Sequence, residues 1–253
     1  MRPLILISND DGVNAKGLHA LEEIAAEFGD VVVMAPLNNL SGQSHSITGI
    51  RPLRVREERM AEGRCVYSCD GTPVDCIKMA TEHFCPRPPD LVLSGINHGS
   101  NSSINVIYSG TMGAVLEATM LGFKAIGFSL LSHNPDADFE PGVPYVRHLI
   151  GQVLQKGLPE GVSLNVNIPK LPKGEIRGIR ICHQSKAKWR DSFTQRIDPQ
   201  GRPYWWLTGK FECNDPSTDS DEWALTNGYV SVVPVHTDLT RYDAIGKIQN
   251  LTI

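Results

Sequence analysis

Asp10 and Asp11 stand side by side where the apolar run Leu4-Ile5-Leu6-Ile7 ends, in the stretch Ser8-Asn9-Asp10-Asp11-Gly12. Adjacent carboxylates repel unless a positive charge lies beside them. A hard divalent cation is the simplest such charge, because it prefers carboxylate oxygen and water to nitrogen or sulfur. Gly12 lets the backbone bend sharply at that point. An isolated Asp-Asp-Gly step is ordinarily a solvated acidic turn, so its weight here comes from other polar clusters downstream. Ser41-Gly42 follow a second apolar run, and Asn97 follows a third, Asp90 to Ile96. Asp10, Asp11, Ser41 and Asn97 offer oxygen ligands or a neutral amide, a set suited to magnesium or manganese rather than zinc. Further on, Ser109, Gly110 and Thr111 open a helical pattern, where free N–H groups and the helix dipole favour a phosphate. Such a triplet is by default a helix cap; beside a metal-binding edge it reads as a phosphate cradle.

The elements that must position these residues are legible from hydrophobic spacing. Leu4 to Ile7 and Val31 to Ala35 read as buried strands, separated by a helix carrying Leu18, Leu21, Ile24, Ala25 and Phe28 at three- and four-residue intervals. A polar loop from Asn38 to Gly49 precedes two short strands, Leu53 to Arg56 and Cys65 to Ser68. Thr72-Pro73 starts a helix, with Thr72 as cap and Pro73 in the first turn. Further strands are Asp90 to Ile96, Ala125 to Leu130, Leu164 to Ile168 and Gly228 to Val235. Helices are expected over Gly110 to Leu121 and Val146 to Leu154. Strands apolar on both faces and alternating with helices predict a Rossmann-like, doubly wound, mainly parallel sheet in three α/β/α layers. Ile179 to Cys182 and the segments flanking Asp198-Pro-Gln-Gly201 read as an extended C-terminal β-hairpin with Trp205 and Trp206 on its returning arm. The tail with Ile245, Ile248 and Leu251 is too short to stand alone as a helix and is expected to dock elsewhere. These features predict one domain over 1–253, with a core over about 1–170 and a hairpin and oligomerisation extension over about 171–253.

At 253 residues, 41% hydrophobic and 21% charged, the composition is that of an ordinary globular chain. A net charge of −4 supplies no basic footprint for a nucleic-acid duplex. Six cysteines contain no C-x-x-C pair and do not form a disulfide scaffold. With no signal-peptide pattern and no apolar run of membrane-spanning length, a cytoplasmic location without a membrane partner is expected.

Four blocks then make a specific resemblance: Ser8-Asn9-Asp10-Asp11-Gly12; Ser41-Gly42-Gln43-Ser44-His45-Ser46-Ile47-Thr48; Gly71-Thr72-Pro73-Val74-Asp75-Cys76; and Ser94-Gly95-Ile96-Asn97 through Ile107-Tyr108-Ser109-Gly110-Thr111. In this order the chain resembles the SurE (survival protein E) family of metal-dependent nucleotidases. The likeness continues through Asn165-Val-Asn-Ile-Pro169 and Gly228-Tyr-Val-Ser-Val. It implies hydrolysis of nucleoside 5′- and 3′-monophosphates, with polyphosphate a further substrate in some members. It also implies one divalent ion, magnesium or manganese, on Asp10, Asp11, Ser41 and Asn97. Asn101, Ser109, Gly110 and Thr111 match the phosphate side, and a dimer or tetramer is expected from hairpin and tail exchange. One departure is visible: Ser103-Ile104-Asn105-Val106 stands where many members carry a Gly-Asp or Asp-Asp step.

The chemistry these residues suggest is metal-assisted phosphomonoester hydrolysis, with Asp10, Asp11 and Asn101 as the catalytic set. Phosphoryl transfer needs mainly positioning and charge stabilisation. An aspartyl-phosphate route is the second enzymatic reading, opposed by the adjacency of the two acids. A non-catalytic nucleotide or metal sensor is the third, since fold alone implies no chemistry. His45 and His98 flank the ligand loops, where either could touch substrate or donate a proton, but with no third group to orient them they read as loop packing; His236 follows a C-terminal strand and reads as a brace for the site or a hinge. Tyr108 offers either packing or a stacking face, and Lys186, Lys188 and Arg190 read as a solvated basic face.

Overall fold

Hydrophobic alternation builds the centre of the molecule. In the computed structural model, which describes residues 1–251, strands β1 (Leu4–Ser8) and β2 (Asp30–Pro36) are buried nearly end to end. Thr252 and Ile253, the last two positions of the expected extension, lie outside the described residues. Ile5, Ile7, Val31 and Val33 face one layer, while Leu4, Leu6, Val32 and Met34 face the other. Successive side chains of a strand point to opposite faces, so a strand apolar throughout must be covered on both sides.

The helices supply that cover. α1 (Lys16–Ala26) and α5 (Val143–Lys156) pack on the first face through Leu18, Leu21, Ile24, Val146, Ile150 and Val153. α2 (Pro73–Met79) and α4 (Gly110–Met120) pack on the second through Cys76, Ile77, Met112, Val115 and Ala118. Short helices α3 (Asn105–Tyr108), α6 (Asp221–Thr226) and α7 (Tyr242–Ile245) complete the set. The remaining strands are β3 (Val55–Ala61), β4 (Arg64–Cys69), β5 (Leu91–His98), β6 (Ala125–Leu130), β7 (Ser163–Ile168), β8 (Ile179–Ile181), β9 (Ala187–Ile197), β10 (Pro203–Cys213) and β11 (Val230–Val235).

The main sheet runs β3-β4-β2-β1-β5-β6-β7-β11-β8. From β4 to β7 every neighbouring pair is parallel; β3 and β11 join antiparallel to β4 and β7. This is the expected doubly wound α/β/α architecture. The strand order reverses between β1 and β5, which leaves a crevice at their carboxyl ends, the usual ligand position in such sheets. Asp10 and Asp11 follow β1 at that edge, and Asn97 lies near the end of β5.

The chain departs from the sequence expectations in three places. The first edge strand is not Leu53 to Arg56 but β3, which continues through Arg56-Glu57-Glu58-Arg59 because an exposed edge tolerates charge on both faces. Phe28 falls just past the end of α1. Ile179 to Ile181 is not part of the hairpin; it pairs in parallel with β11 inside the main sheet. The sheet therefore draws strands from beyond residue 170, and among the described residues only β9 and β10 stand off as a separate two-stranded ribbon. On the single chain the tail residues Ile245, Ile248 and Leu251 are all exposed, as segments that dock on a partner would be.

Candidate functional site

The turn after β1 is set by its own side chains. Asn9 receives the Gly12 amide on Oδ1 at 3.2 Å and donates Nδ2 to the Gly12 carbonyl at 3.0 Å. Gly12 takes a φ of +102°, in the region where a Cβ is strained. The turn throws its two carboxylates in different directions. Asp10 goes inward and is buried; Asp11 stays at the rim, partly accessible.

Asp10 ends on α4. Its Oδ1 accepts from Thr111 Oγ1 at 2.5 Å and its Oδ2 from the Gly110 amide at 3.1 Å. A methyl group at Gly110 would sit 2.8 Å from Asp10 Cβ, so only glycine admits this approach. The donors expected to cradle phosphate thus hold the protein's own carboxylate, an anion at a helix N-terminus all the same. Burial raises the Asp10 carboxyl above the usual carboxylate range; the Thr111 hydroxyl opposes this and the Asp11 charge adds to it. Ser109 caps α4 by accepting the Met112 amide at 3.0 Å.

Asp11 is held by the opposite strand end. Its Oδ2 accepts the His98 amide at 3.1 Å, and its Oδ1 lies 3.5 Å from Ser41 Oγ. Its pKa is raised too, by desolvation first, with the His98 amide and the His98 and His133 rings pulling it down. Ser41 is itself fixed by Asn39, whose Oδ1 accepts both the Ser41 hydroxyl (2.7 Å) and amide (2.8 Å). The same loop is pinned further along by Asp75. That residue completes a capping box with Thr72 and accepts the Thr48 amide at 3.1 Å.

Asn97 donates Nδ2 to the Gly99 carbonyl at 2.8 Å, which turns its Oδ1 to the other side of the amide. β5 shifts register against β6 between Ser94 and Asn97, and such an irregularity at a strand end re-aims a side chain. Asn101 lies in a buried amide ladder. Its amide donates to Asn167 Oδ1, its carbonyl accepts from Asn165 Nδ2, and its Nδ2 donates to Ser129 Oγ, each at 2.8 Å.

Asp10, Ser41, Asn97, Asn101 and Ser109 line one crevice of about 390 Å³. Asp11 joins it through Ser41 and the His98 amide; Gly110 and Thr111 join it through Asp10. These residues supply two carboxylates, one amide oxygen and one hydroxyl, donors of the kind a hard cation takes, and burial raises both carboxyls. Among the described residues no three His, Cys, Asp or Glu side chains gather as a metal cluster.

The sequence reading missed the crevice's outer wall, formed by Trp189 and Phe211 at the root of the hairpin, with His133 and Glu222 beside it. Burial raises the Glu222 carboxyl, opposed by a hydrogen bond from Ser102 Oγ. The only sequence signal for Trp189 was an aromatic between Lys188 and Arg190 in a stretch read as a solvated face. His45 lies elsewhere, 3.0 Å from the buried Glu117, whose other oxygen meets Lys78 Nζ at 2.6 Å. His236 lines a second, larger cavity beside α4, together with His45.

Comparison with known proteins places this geometry in a lineage. The family model Survival protein SurE matches residues 5–191. The chain is 51% identical to the 5′-nucleotidase SurE of Christiangramia forsetii, covering 100% of this chain and 98% of that protein. It is also 51% identical to the 5′-nucleotidase SurE of Flavobacterium psychrophilum, over 98% and 97% of the two chains. The crystal structure of the SurE protein from Aquifex aeolicus superposes with a TM-score of 0.85 at 38% identity, covering 98% of this chain and 99% of that one. With its fold, its ordered motifs and its full-length relatives in agreement, the chain belongs to the SurE family.

Proposed function

We propose that the crevice hydrolyses nucleoside 5′- and 3′-monophosphates to nucleoside and phosphate, with one Mg²⁺ or Mn²⁺ held by Asp10, Asp11, Ser41 and Asn97. The observation that carries this is the convergence of two carboxylates, an amide and a hydroxyl from three loops at the switch point of the sheet. When bound, such an ion offsets phosphoryl charge and makes a water more acidic. The chain's own groups do the rest. Thr111 and the Gly110 amide lock one Asp10 rotamer, so the first carboxylate needs no reordering during the reaction. Gly110 and Thr111 thereby serve the phosphate side through Asp10, while Ser109 and Asn101, which line the crevice, face the phosphoryl oxygens. Asn101 is prevented from turning by Ser129 and Asn167. Asp11, at the rim and bonded through a backbone amide, is the carboxylate available to orient the attacking water.

Two features support the remaining parts of this reading. Phe193, Trp205, Trp206 and Leu207 project from the hairpin into solvent, an apolar surface that fits a homo-oligomer, dimer or tetramer. All six cysteines are free thiols, which fits a reducing, cytoplasmic compartment. No helix among the described residues is long and apolar enough to cross a membrane. The test is release of inorganic phosphate from nucleoside monophosphates by purified protein after chelation and re-addition of Mg²⁺ or Mn²⁺. Release that depends on the ion supports the proposal; nucleotide binding without phosphate release overturns it.

A further inference from the structure

The crevice has two unlike ends. Its floor is polar: Asp10, Asn97, Asn101 and Ser109. Its outer wall is aromatic: Trp189 and Phe211, with Tyr108 at the edge. Trp189 is not loosely placed. Its indole Nε1 donates to Asn105 Oδ1 at 2.7 Å, and its ring meets Phe211 edge-to-face with centroids 5.5 Å apart. Asn105 begins α3, and just ahead of it Ser103 is stapled to the hairpin root. Ser103 Oγ donates to the Ser185 carbonyl at 3.0 Å and accepts the Ala187 amide at 3.3 Å. Asp221 ties the same two segments, accepting the Ser103 amide at 2.7 Å and the Ser185 amide at 3.0 Å.

These bonds hold the indole over the crevice. Its one polar group is already satisfied by the protein, yet the residue remains 43% exposed. What it offers a ligand is therefore a π surface, not a hydrogen bond. A volume of about 390 Å³ is within the range of small-molecule sites.

Resting on the nucleotidase reading above, we propose that Trp189 is the nucleobase-stacking residue of the site and that it makes purine monophosphates better substrates than pyrimidine ones. The phosphate goes to the polar floor and the base to the aromatic wall. Stacking tolerates any base but scales with ring area, so it favours the larger bicycle. Asn105 is the positioning residue for the indole.

The test compares kcat/KM for adenosine 5′-monophosphate with that for ribose 5-phosphate, which has no base. Trp189→Ala should lower the ratio about tenfold or more, and Trp189→Phe should keep most of it. If both substrates lose activity in the same proportion, or neither does, the proposal is overturned. A second readout needs no turnover. Adenosine should quench the tryptophan fluorescence of the native chain and quench Trp189→Phe far less; equal quenching of both proteins, or none of the native one, overturns the assignment. If neither phosphate ester is hydrolysed, the nucleotidase reading falls, and the quenching experiment still decides the stacking site.

Discussion

The end of β1 and the β9–β10 hairpin meet at one crevice but are built by different means. β1 is surrounded: every residue is buried, both faces pack on helices, and Asp10 just beyond it is satisfied by two groups of α4 and held to one direction. The hairpin has no core on either face. Eleven cross-strand pairs from Pro203↔Ile197 to Cys213↔Ala187 and an Asp198 turn give it shape, while most of its side chains meet solvent. The comparison separates two ways of placing a functional group. Burial against α4 fixes Asp10; a few bonds at the hairpin root, through Asp221, Ser103 and Asn105, fix the aromatic wall. Chemistry that needs a rigid charge sits on the first, and recognition that tolerates adjustment sits on the second.

That contrast sets the expected size of each perturbation. Asp11→Asn should fold as the parent does, because the amide oxygen can still accept the His98 amide, but should lose about a hundredfold or more in phosphate release. Steady-state kinetics with a denaturation curve would separate the two; near-parental turnover would remove Asp11 from the site. Gly110→Ala comes next. Its Cβ would lie 2.8 Å from Asp10 Cβ and 2.9 Å from Asp10 Oδ2, so the carboxylate or α4 must shift. A loss of about 1–3 kcal/mol by denaturant titration, accompanied by lower activity, is expected.

A smaller effect should appear in pH dependence. In chelator, the Asp10 pKa lies above its unfolded value near 3.8, chiefly through burial. The folded chain therefore holds a proton that the unfolded chain has released. This contribution is complete below the unfolded pKa and disappears as pH rises through the folded one. Stability of the chelated protein should fall along that limb, and Asp10→Asn, which cannot titrate, should flatten it. An unchanged slope in the variant would show that Asp10 is not the group responsible. The smallest effect belongs to the exposed face of the hairpin. Trp206→Ser should leave stability per chain within about 0.5 kcal/mol, since the side chain is 63% exposed. Sedimentation should nevertheless show a smaller assembly than the parent forms; the same assembly would take Trp206 out of the association surface.

The same contrast explains what the sequence revealed. Strands and helices that bury apolar faces were readable because burial imposes period: β1, β2, β5 and β6 and helices α1 and α4 stand within a few residues of their expected limits. β3 was not readable past Arg56, since charged edge residues carry no periodic signal. The four-residue α3 was missed because one turn has no face to pattern. The motif order pointed to Asp10, Asp11, Ser41 and Asn97, but no local signal says that Asp10 bonds to Gly110 and Thr111, 100 residues away. Trp189 was overlooked for a related reason: its partner Asn105 is remote in sequence, and its neighbours are charged.

The central claim is that Asp10, Asp11, Ser41 and Asn97 share one hard cation, and anomalous diffraction from crystals soaked in Mn²⁺ tests it most directly. One strong peak between these four side chains, lost in Asp11→Asn, is the expected result. A peak elsewhere, or full phosphate release from a protein with no peak there, would contradict it.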